Sequence, residues 1–168
     1  AHSISQYPPG KLPEPTPMQQ TSEDKYFSYG FDLVEQGNHS CDFLVQGYLQ
    51  EGTLAWVTGM PSAHKSFLSI DLAAHLATKD NWHGIPLTQC STLILAGEGR
   101  YSYQKRLAGW MEVHGHTKEI NNVMISNMPC MLNMDDDVNG LIKQLSKKNP
   151  KLTKPLKLII VDTKATNL

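Results

Sequence analysis

Cysteine is scarce in this chain of 168 residues. Cys41, Cys90 and Cys130 stand far apart, with no C-x-x-C pair among them. An odd, scattered set reads as free thiols in a reducing compartment, and so a cytoplasmic protein, rather than as a disulfide frame or a zinc site. Long apolar runs are missing too. Nothing approaches the ~20 residues of a membrane span, and the N-terminus lacks a signal-peptide pattern. No membrane partner is expected. Charge of one sign is absent: 15 Lys+Arg against 16 Asp+Glu leave a net charge of -1. That balance excludes a nucleic-acid binder driven by bulk charge, though not a local contact patch. There is no internal repeat.

What remains is the composition of one domain. Forty per cent of the residues are apolar and 18% charged, enough to bury a single core. Pro8, Pro9, Pro13, Pro15 and Pro17 are half of the ten prolines. Such spacing suits neither helix nor ladder, so residues 1–20 are expected to be an arm or linker and residues 21–168 the folded core. Thr21, Ser22, Glu23 and Asp24 can cap a turn leading to Phe31, Asp32, Leu33 and Val34.

From there the pattern alternates. Residues 53–58 (TLAWVT) form an apolar run between Gly52 and Gly59 and predict a buried strand. Leu68, Leu72 and Leu76, flanked by Phe67, Ile70 and Ala73, predict a helix over 65–79. Residues 92–96 predict a second buried strand. Tyr103, Leu107, Trp110 and Met111 mark a helix stopping near Gly115. A third strand is expected over 122–126. Val138, Leu141, Ile142 and Leu145 form a further helical stripe. Asp135 to Asp137 suit its start and Lys147 and Lys148 its end, against a turn signal at Asn139 and Gly140. Residues 156–161 (LKLIIV) predict a fourth strand ending at Asp162. Strands alternating with helices predict an α/β fold with a largely parallel sheet flanked by helices, whose ligands gather at the carboxyl ends of the strands.

The residues at those ends carry chemistry. After the first predicted strand come Gly59, Met60, Pro61, Ser62, Ala63, His64, Lys65 and Ser66, then Phe67 on the helix. A phosphate-binding loop reads Gly, four residues, Gly, Lys, Ser/Thr. The first Gly, the Lys and the Ser are present; His64 replaces the second Gly, and Ser62 stands where a further Gly is common. Backbone N–H groups at such a helix start would point at phosphate oxygens. Lys65 would sit on the β- and γ-phosphates and Ser66 on Mg²⁺. Glu98 lies between Gly97 and Gly99 after the second buried strand, a candidate base for an attacking water. Asp162 ends an apolar strand in the Walker B manner and is a candidate Mg²⁺ ligand.

These pieces, with Trp82, His83 and Gly84 ahead of Gly97, Glu98 and Gly99, resemble the RecA-like AAA ATPases related to RepA-type plasmid replicative helicases and phage or plasmid primase-helicases. The likeness runs from about Phe43 onward. It implies a RecA-like P-loop core using ATP and Mg²⁺. Residues 59–67 would be the nucleotide-binding loop, Lys65 and Glu98 the catalytic pair, Ser66 and Asp162 the metal ligands. Arg106 is similar in place to a basic residue that stacks on adenine. The resemblance implies single-stranded DNA as partner, contacted through segments not in this chain, and a homo-oligomer, a hexameric ring in the full protein. The chain stops six residues after Asp162, so the core is expected to be truncated after the Walker B strand. Two functions stay open: a motor ATPase of a replication helicase, and a nucleotide-binding replication or recombination module with little or no turnover.

Other features take plainer readings. His114 and His116 fit a helix C-terminus better than a metal pair. Trp82, His83 and Gly84 read as a turn packing against the sheet. Lys143, Lys147, Lys148, Lys151, Lys154 and Lys157 read as a solvated helix end and loop, with DNA phosphates as the alternative contact. Met124, Met128, Met131 and Met134 read as core filler.

Overall fold

All six residues of strand β5 (Ser91–Ala96) are buried. A strand covered on both faces needs helices on both sides of its sheet or equivalent packing, and its side chains are accordingly apolar or small. The structure is a computed structural model that describes residues 29–35, 42–97, 100–147 and 149–162, the side chain of residue 33 excepted. The chain divides into two units, residues 1–40 and 41–168. The described part of the first is a short helix, α1 (Gly30–Glu35). The predicted cap at residues 21–24 and the proline-rich stretch lie outside the described residues.

The second unit is built on a parallel sheet of order β6-β5-β7, with β6 at Val123–Ile125 and β7 at Leu156–Asp162. Helix α2 (Lys65–Thr78), helix α3 (Arg100–His114) and helix α4 (Asp135–Leu145) alternate with the strands. The chain is thus α/β, with a three-stranded parallel sheet flanked by helices, as in a RecA-like P-loop core. α4 runs straight through Asn139 and Gly140: three acidic residues in its first turn favour the helix. Among the described residues, no helix is long and apolar enough to cross a membrane.

α2 meets the sheet through Ile70, Ala73, Ala74 and Ala77, which share a core cluster with Ile94, Ala96, Tyr103, Trp110 and Val123. That face is rotated from the expected leucine stripe. Leu76 instead joins Leu44 and Cys90 in a second cluster, and Leu68 is partly exposed. Three alanines let the helix axis approach the strands closely, so small residues share the buried surface of α2 with Ile70 and Leu76. Three of the four methionines expected in the core, Met128, Met131 and Met134, are exposed beyond the end of β6.

Two hairpins stand apart from the central sheet. β1 (Phe43–Val45) pairs with β2 (Leu49–Gln50), and β3 (Asn81–Trp82) with β4 (Ile85–Pro86). The second turns at His83 and Gly84, both at positive φ, the backbone of a two-residue hairpin turn. This turn packs on α2 rather than on the sheet: Trp82 Nε1 and His83 Nε2 both reach Asp71 Oδ2. In the basic run, Lys157 Nζ lies 2.6 Å from Glu51 Oε2, tying β7 to the first hairpin.

One expected strand is not formed. Residues 53–60 join no ladder and are exposed, Leu54 at 82%. An apolar run records a preference to leave water but not a pairing partner, and in the order β6-β5-β7 strand β7 bonds only β5.

A buried amide joins the start of the sheet. Asn122 donates to the Glu119 carbonyl at 2.9 Å and to Thr153 Oγ1 at 3.0 Å. Its Oδ1 accepts the N–H groups of Thr153 and Lys154 at 2.9 and 3.2 Å. Ser91 Oγ donates to the Lys154 carbonyl at 2.7 Å, so the entries of β5, β6 and β7 are bonded together.

Candidate functional site

The bend over Gly59 to His64 ends where α2 begins at Lys65, the position the motif requires. The backbone takes left-handed angles at Ser62 (φ 63°) and His64 (φ 56°). Those are the two positions where glycine is common in phosphate-binding loops. The bend therefore forms without its glycines, at a strain of about 1–2 kcal/mol per residue. His64 is the N-cap but offers no side-chain cap bond; its ring meets Phe67 edge-on at 5.6 Å. Its carbonyl accepts the N–H groups of Phe67 and Leu68 at 3.0 and 3.1 Å. The N–H groups of Lys65 and Ser66 have no acceptor within the helix, as in any first turn. Met60 and Pro61 line the outer side of the bend and are exposed, and the Ala63 N–H bonds the Met60 carbonyl at 3.2 Å.

Lys65 curls back into this bend. Its Nζ donates to the carbonyls of Gly59 and Met60, both at 3.0 Å. A Cβ on Gly59 would lie 3.5 Å from Ala63 Cβ and 3.7 Å from Lys65 Cδ, in ordinary contact, so no steric ban holds glycine there.

Asp162 arrives from the opposite side. In the parallel register it stands beside Ala96, and its carbonyl accepts the Gly97 N–H at 2.6 Å. The tips of β5 and β7 are thereby locked together. Its carboxylate accepts a hydrogen bond from the Tyr103 hydroxyl. Ser66 acts on the same phenol from the loop side. The loop serine and the strand-tip aspartate therefore converge on one oxygen, supplied by the first turns of α3. Burial, and then the adjoining carboxylate, push the phenol far above its ordinary range, so it stays a neutral donor.

Arg106 lies one turn further along α3. Its guanidinium carbon sits 4.9 Å from the centre of the Phe67 ring and 5.6 Å from that of Tyr103. Phe67 is half exposed. Phe67, Ile70, Asp71, Lys105, Arg106 and Trp110 are among the residues bordering a groove of about 510 Å³ between α2 and α3, beside the loop. Glu98 and Gly99 lie outside the described residues.

Sequence reasoning thus placed Lys65, Ser66, Asp162 and Arg106 on elements that the fold brings together. It missed Tyr103 as a polar participant, reading it only as part of an apolar helix face. It also missed Asp71, the one carboxylate on α2, which was the available signal. Neither curated proteins nor solved structures gave a match to this chain. A family model described as AAA domain matches residues 21–167. On that match, and with an α/β core whose loop-helix junction faces a strand-tip aspartate, the chain belongs to the AAA domain family of nucleotide-binding P-loop ATPases.

Proposed function

We propose that this domain binds ATP with Mg²⁺ at residues 59–67 and hydrolyses it, as the motor of a DNA replication helicase or primase-helicase. The observation that supports the reading is the convergence of Ser66 and Asp162 on the Tyr103 hydroxyl. A hydroxyl and a carboxylate form an all-oxygen donor set, which suits Mg²⁺. Ser66 and Asp162 would hold that ion, which when bound neutralises charge on the phosphate oxygens.

The chain's own residues supply the rest. The Lys65 ammonium would leave the Gly59 and Met60 carbonyls for the β- and γ-phosphates, while the first-turn N–H groups of α2 orient the same oxygens. Arg106 and Phe67 already stack on each other, and the groove beside them would take the base. Glu98 is the proposed residue that positions and deprotonates the attacking water. Catalysis of this kind is positioning and charge stabilisation. Single-stranded DNA, a hexameric ring of subunits and a cytoplasmic location belong to the same reading, supported by the family's general habits.

The left-handed Ser62 and His64 favour a second reading, a nucleotide-binding module with little turnover, because a loop strained before binding tolerates little further rearrangement. Single-turnover hydrolysis with protein in excess over ATP separates the two. A motor domain hydrolyses the bound ATP, Glu98→Gln stops hydrolysis while retaining binding, and Lys65→Ala loses binding. A background rate in the unsubstituted protein, with binding intact, supports the module. Absence of Mg²⁺-dependent ATP binding defeats both.

A further inference from the structure

A second constellation lies further along α2. Asp71 and His75 are one turn apart on the same face, and His75 is buried. His114, at the end of α3, stacks on Trp110 with ring centres 4.2 Å apart and planes 14° apart, and meets the His75 ring edge-on at 5.4 Å. One donor atom from each of Asp71, His75 and His114 lies within 4.8 Å of the other two. We propose that Asp71, His75 and His114 form a binding site for one divalent transition-metal cation of the zinc class, separate from the nucleotide loop.

Three observations support it. The first is reach: His75 Nδ1 is 3.1 Å from Asp71 Oδ1, and to ligate it would exchange its 2.8 Å hydrogen bond to the Asp71 carbonyl for an ion ~2.0–2.2 Å away. The second is donor chemistry. Two imidazoles and a carboxylate favour zinc-class ions over Mg²⁺ or Ca²⁺, which prefer oxygen throughout. The third is the support around the ligands. Trp110 Nε1 donates to Asp71 Oδ1 at 2.9 Å and Trp82 Nε1 to Oδ2 at 2.7 Å. His83 Nε2 lies 2.9 Å from the same Oδ2. His114 Nδ1 is 3.0 Å from the Trp110 carbonyl, an arrangement that puts its proton on Nδ1 and leaves the Nε2 lone pair for a metal.

Asp71 also borders the groove beside the loop, and the cluster extends from there along α2. His75 follows Ser66 by nine residues, about 13 Å along the helix axis at 1.5 Å per residue. His116 is the natural control: it is exposed and pairs with Glu112 at 3.4 Å, outside the cluster.

The test is titration of chelator-treated full-length chain with Zn²⁺ by calorimetry, and with Co²⁺ by visible absorption. We expect one ion per chain, Co²⁺ ligand-field bands and a higher Tm with Zn²⁺. His114→Gln, at an exposed helix end, is expected to weaken Zn²⁺ binding at least about tenfold and to lose the Co²⁺ bands, while His116→Gln retains both. Circular dichroism establishes that both variants are folded. No binding to the unsubstituted chain, equal binding by His114→Gln, or equal weakening by the two variants would overturn the site. The last of these would mark capture by surface histidines only.

Discussion

Tyr103 donates its hydroxyl to the carboxylate of Asp162, so a side chain from the start of α3 covers the acid at the tip of β7. Tyr103 is 3% exposed and packs in the same cluster as Ile94 and Ala96. Its ring is core, and its oxygen is part of the site. For Asp162 to face a metal ion or its water, this bond must be exchanged.

Tyr103→Phe keeps the ring and removes the donor. Mg²⁺-dependent binding of a fluorescent ATP analogue is expected to tighten several-fold, while stability in urea falls by about 1 kcal/mol for the lost hydrogen bond. Unchanged or weaker nucleotide binding would show that the phenol does not compete for the carboxylate.

The left-handed residues of the loop offer a second test. Ser62→Gly and His64→Gly each relieve a strained backbone, and each is expected to stabilise the protein by about 1 kcal/mol. For His64 the gain is reduced by the lost edge contact with Phe67. Urea denaturation of the two single variants measures this. A loss of stability in both would mean that the side chains, not the angles, hold the bend.

Asp71 makes stability depend on acid. Its carboxyl titrates below its ordinary value of 3.8: burial opposes the shift, and the bonds from Trp82, His83 and Trp110 overcome it. A depressed carboxyl stabilises the fold fully above pH ~3.8, and that stabilisation fades as pH falls through the folded-state value. Asp71→Asn is expected to cost about 2 kcal/mol at pH 7. The gap between variant and parent should narrow as pH falls below ~3.8, measured by denaturation in the presence of a chelator. A gap independent of pH would assign the effect to packing alone.

Asn122 is fully buried and bonds five atoms around the entry of the sheet: the Glu119 carbonyl, Thr153 Oγ1, the N–H groups of Thr153 and Lys154, and Ser91 Oγ. Asn122→Ala strands the N–H groups of Thr153 and Lys154, and about 2–4 kcal/mol of stability should be lost. Asn122→Asp, which keeps the acceptor but not the donor, should fall between. A loss below 0.5 kcal/mol, the ~0.5 typical of surface changes, would show that the amide is not needed.

Much of the site was readable before the fold. Lys65 opens α2 and Asp162 closes β7 because a Gly-to-Lys-Ser spacing ahead of a 3.6-residue apolar repeat, or an apolar run meeting a carboxylate, is a local signal. The stripe on α2 was read in part: Ile70, Ala73 and Leu76 are buried and Leu72 packs against the core, but Leu68 is exposed, and close packing on β5 adds Ala74 and Ala77. The His83 turn was recognisable as a turn, but its docking on Asp71 was not, since eleven or twelve positions of chain separate the partners.

What the amino-acid order determined alone was helices α2 to α4, strands β5 to β7, the loop at Gly59 to Ser66 and the acid at Asp162, because capping, periodicity and turn chemistry act over a few residues. Only the tertiary structure decided that Tyr103 would join Ser66 to Asp162, that Asp71 would gather His75, His83, Trp82 and Trp110, and that residues 53–58 would lie outside the ladder. Each of those depends on register and on which faces meet, and these are settled by packing between segments far apart in the chain.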